Sequence, residues 1–283
     1  MTLFLLRAYG DFLIAVNVAS RSTNRESIFL IASKHLEPLY EVIAPELPGA
    51  IQIRFVDFSL DKQLMRCFTN RFLLHPHTLT ELYSLRRFIR KGLASGEMSG
   101  ELYLEQQKRI FFPHFFCGMH FHPVVTQGKV YEAYARFFSV PMHQLETFER
   151  GQKEIQNILI VPDSRQPIKV IRSEIIQQLQ DHYAHSAQLV TVAYFKQIPN
   201  GATGNVIVYE NFHELIQLIK ATDLLIGGDS LPVHLAQLLG IPHHILYPGT
   251  KSTDFFTPYA LQHRTYHCFE DLRSGTNFLI NGH

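Results

Sequence analysis

Short apolar runs, each closed by a polar turn and followed by a helix-length segment, recur along this 283-residue chain and leave few folds open. The runs are Thr2 to Leu6, Ser27 to Ala32, Ile51 to Val56, Ile158 to Val161, Gln188 to Ala193, Val206 to Tyr209, Leu224 to Gly227 and His244 to Tyr247. Where such a run shows no polar alternation, it suits a strand covered on both faces. Between the runs lie segments of helical character: Phe12 to Ala19, His35 to Tyr40, Ser173 to His182, Phe212 to Ala221 and Leu231 to Leu239. Strands alternating with helices imply an α/β protein with parallel sheets and helices on both faces.

The stretch 61–115 breaks this rhythm. Ser84 to Arg90 and Leu102 to Phe112 are expected as helices, separated by Gly92, Gly96 and Ser99-Gly100, with Pro113 ending the second. A further helix is expected from Lys129 to Phe138. Pro141 and the polar segment Glu149 to Gln156 then mark a boundary, giving domains 1–150 and 151–283. In open parallel sheets ligands bind outside the carboxyl ends of the strands, so two such domains would create a cleft between them.

Composition excludes several classes. The hydrophobic fraction of 46%, with 22 Phe and 12 Tyr, is too high for a disordered chain. A formal net charge of +1 gives no strong field for a polyanion, and nucleic-acid binding is not expected. Cys67, Cys117 and Cys268 are odd in number and far apart, which fits a reducing compartment better than a disulfide framework. The opening MTLFLLRAYGDF lacks the basic region and cleavage site of a signal peptide, and no run reaches 18 apolar residues. The expectation is a soluble intracellular protein.

Four places carry polar chemistry. In LLIGGDSLPVHLAQLLG, residues 224–240, a buried strand ends at Gly227-Gly228. Asp229 and Ser230 stand at a helix start, Pro232 lies in the first turn and His234 one turn beyond Ser230. Free N–H groups at such a start suit phosphate or a hydroxyl-rich ligand; a plain Ser230 cap with a surface histidine is the competing reading. Gly10-Asp11 follows the first strand, where a carboxylate could take a proton from an attacking hydroxyl or simply cap the next helix. The loop VPDSRQPIK, residues 161–169, carries Arg165 and Lys169, either able to reach a diphosphate or to remain a solvated surface charge. In YPGTKSTDFFTPY, residues 247–259, a Pro248-Gly249 turn presents Thr250 and Lys251, or merely closes the domain.

Other signals are weaker. The pairs His75/His77, His120/His122 and His243/His244 have no metal-ligand spacing, and no metal site is assigned. Arg86, Arg87, Arg90 and Lys91, with Lys108-Arg109 and the aromatic run 111–116, could meet anionic lipid or a large acceptor. Basic helices beside a packed aromatic cluster are the alternative.

Taken together, the chain resembles the ADP-heptose:lipopolysaccharide heptosyltransferase family of glycosyltransferases. LFLLRAYGDFL is similar to that family's first strand and Gly-Asp turn, and ATDLLIGGDSLPVHLAQLLGIPHHILYPGT to its donor-site signature. Leu231 stands where the family usually has glycine, and Pro248-Gly249 inverts its Gly-Pro order. The resemblance covers residues 1–20 and 155–260. It implies two Rossmann-like domains facing a central cleft, of GT-B type, with an acceptor-side domain 1–150 and a nucleotide-sugar-binding domain 151–283. It further implies an inverting, metal-independent transfer of a sugar, of the hexose or heptose class, to a saccharide or lipid-linked acceptor in lipopolysaccharide biosynthesis. The nucleotide-sugar is a substrate, and no cofactor is implied. Asp11 matches the catalytic carboxylate and Lys169 the basic residue at the donor phosphates. Asp229, Ser230 and His234 match donor-binding groups, which Arg165 and Thr250 would join. The protein would be cytoplasmic, with residues 84–116 as its contact to the inner membrane. A non-catalytic nucleotide-binding or scaffold protein and a nucleotide-sugar epimerase are the alternatives.

Overall fold

Thr2–Leu5, an entirely buried stretch, forms β1 at the centre of a parallel five-stranded sheet of order β3-β2-β1-β4-β5. Its partners are β2 (Phe29–Ser33) and β4 (Leu102–Gln106), with Thr2 in register with both Phe29 and Leu102. β3 (Ile53–Val56) and β5 (Phe121–Val125) form the edges. Pro123 is tolerated in β5 because an edge strand has no second neighbour to receive its missing N–H. Helix α1 (Tyr9–Ala19) is buried at every residue from Asp11 to Ala19, as a helix apolar on all sides must be. α2 (Glu37–Ile43), α3 (Pro76–Ala94) and α4 (Val130–Phe137) complete the helical layers, with α4 packed on α1. Phe4, Ile31, Leu85, Ile89, Leu102 and Phe121 meet in one core cluster.

A short helix α5 (His143–Glu146) precedes a second parallel sheet of six strands, order β11-β10-β9-β6-β7-β8. Its central strands are β6 (Asn157–Val161) and β9 (Leu224–Gly228), joined in the register Val161↔Gly227. β7 (Leu189–Phe195) and β8 (Asn205–Tyr209) extend one side. β10 (His243–Tyr247) and β11 (Tyr266–Cys268) extend the other. The helices are α6 (Ser173–Tyr183), α7 (Phe212–Lys220), α8 (Leu231–Leu239), α9 (Pro258–His263) and α10 (Phe269–Arg273). The chain divides into compact units Met1–Pro141 and Met142–His283, each a parallel sheet flanked by helices, so the architecture is that of two Rossmann-like domains.

This computed structural model describes residues 1–6, 8–23, 28–57, 76–98, 100–106, 118–146 and 154–273. Arg7, Cys67, His75, Cys117 and the basic and aromatic run 107–117 lie outside the described residues. Two sequence expectations are corrected. Leu102 begins a strand and not a helix: Leu102 and Leu104 are buried between β1 and β5, and pairing on both sides decides the conformation against a helix-like spacing. The helix expected at Ser84–Arg90 runs on through Gly92 to Ala94. Gly92 stays because the Met98 side chain lies where its Cβ would stand. Among the described residues no helix is long and apolar enough to cross a membrane.

Candidate functional site

A polar cluster gathers at the carboxyl end of β9. Leu225 and Ile226 are fully buried, and the chain leaves the sheet at Gly227-Gly228. A Cβ on Gly228 would stand 2.6 Å from the Lys169 carbonyl oxygen, and one on Gly227 3.1 Å from Val233 Cγ1. The double glycine therefore lets the loop after β6 and helix α8 close directly onto the strand end. Asp229 follows, 5% exposed, and Ser230 is the N-cap of α8. The helix ends at Gly240 in the left-handed conformation, whose N–H bonds the Ala236 carbonyl.

Ser230 does not cap the helix as its sequence position suggests. Its hydroxyl donates to the Gly228 carbonyl at 3.2 Å, and no side-chain bond reaches the first-turn N–H groups. Pro232 occupies the first turn without an N–H of its own. The Leu231 and Val233 N–H groups thus remain uncapped by Ser230, at the positive end of the helix dipole.

Lys169 closes a three-residue helical turn, Pro167–Lys169. Its ammonium reaches Asp229 twice, donating to the backbone carbonyl at 2.9 Å and to Oδ2 at 2.5 Å. The two side chains are 14% and 4% exposed, a largely desolvated ion pair. Asp229 Oδ1 is buried with no hydrogen-bond partner among the described residues. A buried carboxylate oxygen without a donor is costly, and a ligand hydroxyl in this position would satisfy it.

His234, 3% exposed, stands one turn into α8. Burial brings its pKa down to about 4, with the Asp229 carboxylate pulling upward and Lys169 pushing downward. It is therefore neutral near pH 7, with one ring N–H to donate. Arg165 is exposed in the loop before Lys169, and Thr250 is exposed in the turn after β10. That turn is held by Glu270 Oε2, which accepts the Gly249 N–H at 3.0 Å and the Cys268 thiol proton at 2.5 Å. The structure thus gathers Lys169, Asp229, Ser230 and His234, and leaves Arg165 and Thr250 on the surface.

Asp11 belongs to the other unit. It lies inside the first turn of α1, 6% exposed, and is not the cap; Ala8 holds that position without a side-chain bond. A carboxylate in a first helical turn is favoured by the dipole. Near it is a group that pattern reading does not find. Glu105, 2% exposed at the end of β4, accepts the Leu6 N–H at 2.7 Å. The Tyr134 hydroxyl is buried without a hydrogen-bond partner among the described residues. Burial, then the Glu105 and Asp11 charges, hold its pKa well above the usual phenol value. An acid closing the short apolar run Leu102 to Leu104 was the available signal for Glu105, hidden by the helical reading of Leu102 to Phe112.

Of the basic run on α3, Arg87, Arg90 and Lys91 are exposed, while Leu85 and Ile89 are buried beneath them. Arg54 pairs with Glu97 at 3.0 Å and lies over the Phe88 ring. Among the described residues no group of three His, Cys, Asp or Glu side chains is placed to hold a metal ion.

No protein-family model matches the sequence, and no curated protein sequence matches it. Solved structures do match the fold. A glycosyl transferase family 9 protein from Veillonella parvula superposes with a TM-score of 0.53 at 14% identity, over 99% of this chain and 90% of that one. The E. coli heptosyltransferase WaaC with ADP gives 0.51 at 12% identity, over 93% of this chain and 98% of that one. The E. coli ADP-heptose lps heptosyltransferase II gives 0.51 at 12%, over 94% and 89%. At such identities the likeness shows the fold, the two-Rossmann-domain GT-B architecture.

Proposed function

We propose that this chain is an inverting glycosyltransferase that moves a sugar, of the hexose or heptose class, from a nucleoside-diphosphate sugar to a hydroxyl of a saccharide or glycolipid acceptor. The observation that carries the reading is the start of α8. A helix N-terminus uncapped by Ser230, a half-buried cation and a buried carboxylate oxygen lacking a donor among the described residues stand together behind a double glycine. Such a set suits a ligand that brings both phosphate oxygens and hydroxyl protons. Known proteins of the same fold are solved with ADP and with an ADP-heptose analogue, which is consistent with this ligand class.

The donor diphosphate would lie at the first turn of α8 and beside Lys169, with Asp229 Oδ1 accepting from a donor hydroxyl and neutral His234 donating to an oxygen. Arg165 and Thr250 would approach as the ligand binds. Asp11 takes the proton of the attacking acceptor hydroxyl. That oxygen bonds to the anomeric carbon opposite the phosphate, the glycosidic carbon–oxygen bond breaks, and the nucleoside diphosphate leaves with the electron pair. Lys169 and the helix dipole oppose the growing charge, and no metal is required by this division of labour. The acceptor would belong to the domain 1–150 and the donor to 151–283. An acceptor of lipid-linked kind would bring Arg87, Arg90 and Lys91 against anionic lipid of a cytoplasmic membrane face.

Calorimetry of the full chain against ADP-, UDP- and GDP-sugars tests the reading. Micromolar-range binding of at least one is expected. Failure to bind any nucleotide or nucleotide-sugar overturns it, and conversion of the sugar-nucleotide without an acceptor identifies an epimerase instead.

A further inference from the structure

This inference deepens the donor-site reading and rests on it. Beyond the cluster at α8, the carboxyl edge of the second sheet carries a side chain that the scheme above leaves idle. Phe195, the last residue of β7, is 45% exposed. Isolated exposed apolar side chains are ordinary. Phe195 is distinguished by how firmly it is held and by where it stands.

Its support comes from both sides. Asp163, just past the end of β6, accepts the Phe195 N–H at 2.6 Å. The Tyr209 ring, largely buried at the end of β8, lies 5.5 Å away at an interplanar angle of 44°. The next residue, Lys196, adopts φ 67, left-handed backbone that a non-glycine residue enters only where surroundings impose it. Its N–H bonds the Tyr209 carbonyl at 2.9 Å, turning the chain sharply behind the ring. Lys196 Nζ rests 5.1 Å from the ring centroid. A cation on an exposed ring is weakly held there and is free to swing aside.

The location follows from strand register. Ile160 pairs with Val192, Val161 with Gly227 and Phe195 with Tyr209. Ile160 also pairs with Ile226, so β7 and β9 flank β6, and both Phe195 and Asp229 stand three residues beyond that row, at the carboxyl edge. Parallel neighbours are about 4.8 Å apart, so the strands that lead to Phe195 and to Asp229 are about 10 Å apart across β6. That separation matches the reach of an extended nucleotide from its phosphates to its base. We infer that Phe195 is the stacking platform for the nucleobase of the donor. Every base has a π-face, so a ring of this kind holds purines alike and leaves the choice between them to other groups.

Calorimetry on the full chain with ADP, GDP and inorganic pyrophosphate tests the assignment. Phe195→Ala should weaken ADP and GDP alike, by roughly 5- to 150-fold, the range carried by base–aromatic stacking, and leave pyrophosphate affinity unchanged. Phe195→Tyr keeps the ring and should restore nucleotide affinity, which excludes a folding defect as the cause. Unchanged ADP affinity in Phe195→Ala, with Lys169→Ala still losing it, overturns the platform and leaves the donor site standing. Equal loss of ADP and pyrophosphate in Phe195→Ala also overturns it. No binding of ADP by the unaltered protein overturns the donor-site reading and this inference with it.

Discussion

In the first unit, the helix after the central strand β1 starts at Ala8 and carries Asp11 inside its first turn. In the second, the helix after β9 starts at Ser230 behind Gly227-Gly228, with Asp229 outside the helix and His234 within it. Both units place a helix start at the carboxyl end of a central parallel strand, where polar groups collect. They differ in how the groups are assembled. The second unit draws Asp229, Ser230 and His234 from six consecutive positions and adds one distant cation, Lys169. The first unit draws Asp11, Glu105 and Tyr134 from three separate elements. On the proposed reading this contrast is a division of labour, an anion and hydroxyl site in one unit and a proton acceptor in the other.

The largest effect should come from the first unit. Asp11→Asn should lower turnover by roughly 10²–10⁴-fold, the range for loss of a general base, with donor affinity by calorimetry and the melting temperature nearly unchanged. A variant that keeps most of its rate makes Asp11 a structural carboxylate. Next in size is the second unit's cation. Lys169→Ala should cost roughly 10² in kcat/KM, as for one lost transition-state electrostatic contact. It should also leave Asp229 a buried, unpaired charge, so some loss of stability is expected. Lys169→Met, which fills the same volume, separates the two only if Asp229→Asn is made with it: the double variant should regain stability without regaining rate.

Those outcomes bear on what could be read before the structure. Strands such as Thr2–Leu5 and Leu224–Gly228 were legible because burial on both faces favours a continuous apolar run, and that demand is local. Lys169 and Asp229 were legible as residues, but not as a pair, since 60 positions separate them. A cap was one of two readings of Ser230, and a hydroxyl in that position can donate to a nearby carbonyl instead, as it does to Gly228. Glu105 was missed because pairing of Leu102–Gln106 between β1 and β5, a tertiary event, overrode a helix-like spacing. Asp11 was placed near a turn, whereas a first helical turn begun at Tyr9 carries it within the buried face of α1.

Two smaller perturbations sharpen the contrast. Gly228→Ala puts a Cβ against the Lys169 carbonyl oxygen and should cost about 1–3 kcal/mol in urea unfolding, the range for overpacking. Gly100→Ala in the first unit meets nothing within 4 Å among the described residues and serves as the neutral control. An equally neutral Gly228→Ala would mean that the loop carrying Lys169 is not packed on the strand end as described. Ser230→Ala should change stability by no more than about 0.5 kcal/mol, less than a working cap contributes, because no first-turn N–H depends on its hydroxyl. A loss near 2 kcal/mol would restore the capping role.

The division of labour itself is tested most directly by amide hydrogen exchange on the full chain, with and without a saturating nucleoside-diphosphate sugar. The account predicts slowed exchange at residues 162–170 and 228–234, with the Leu231 and Val233 amides among the most protected, and little change across residues 2–19. Protection confined to the first unit, or absent from 228–234 when the ligand is bound, would contradict it.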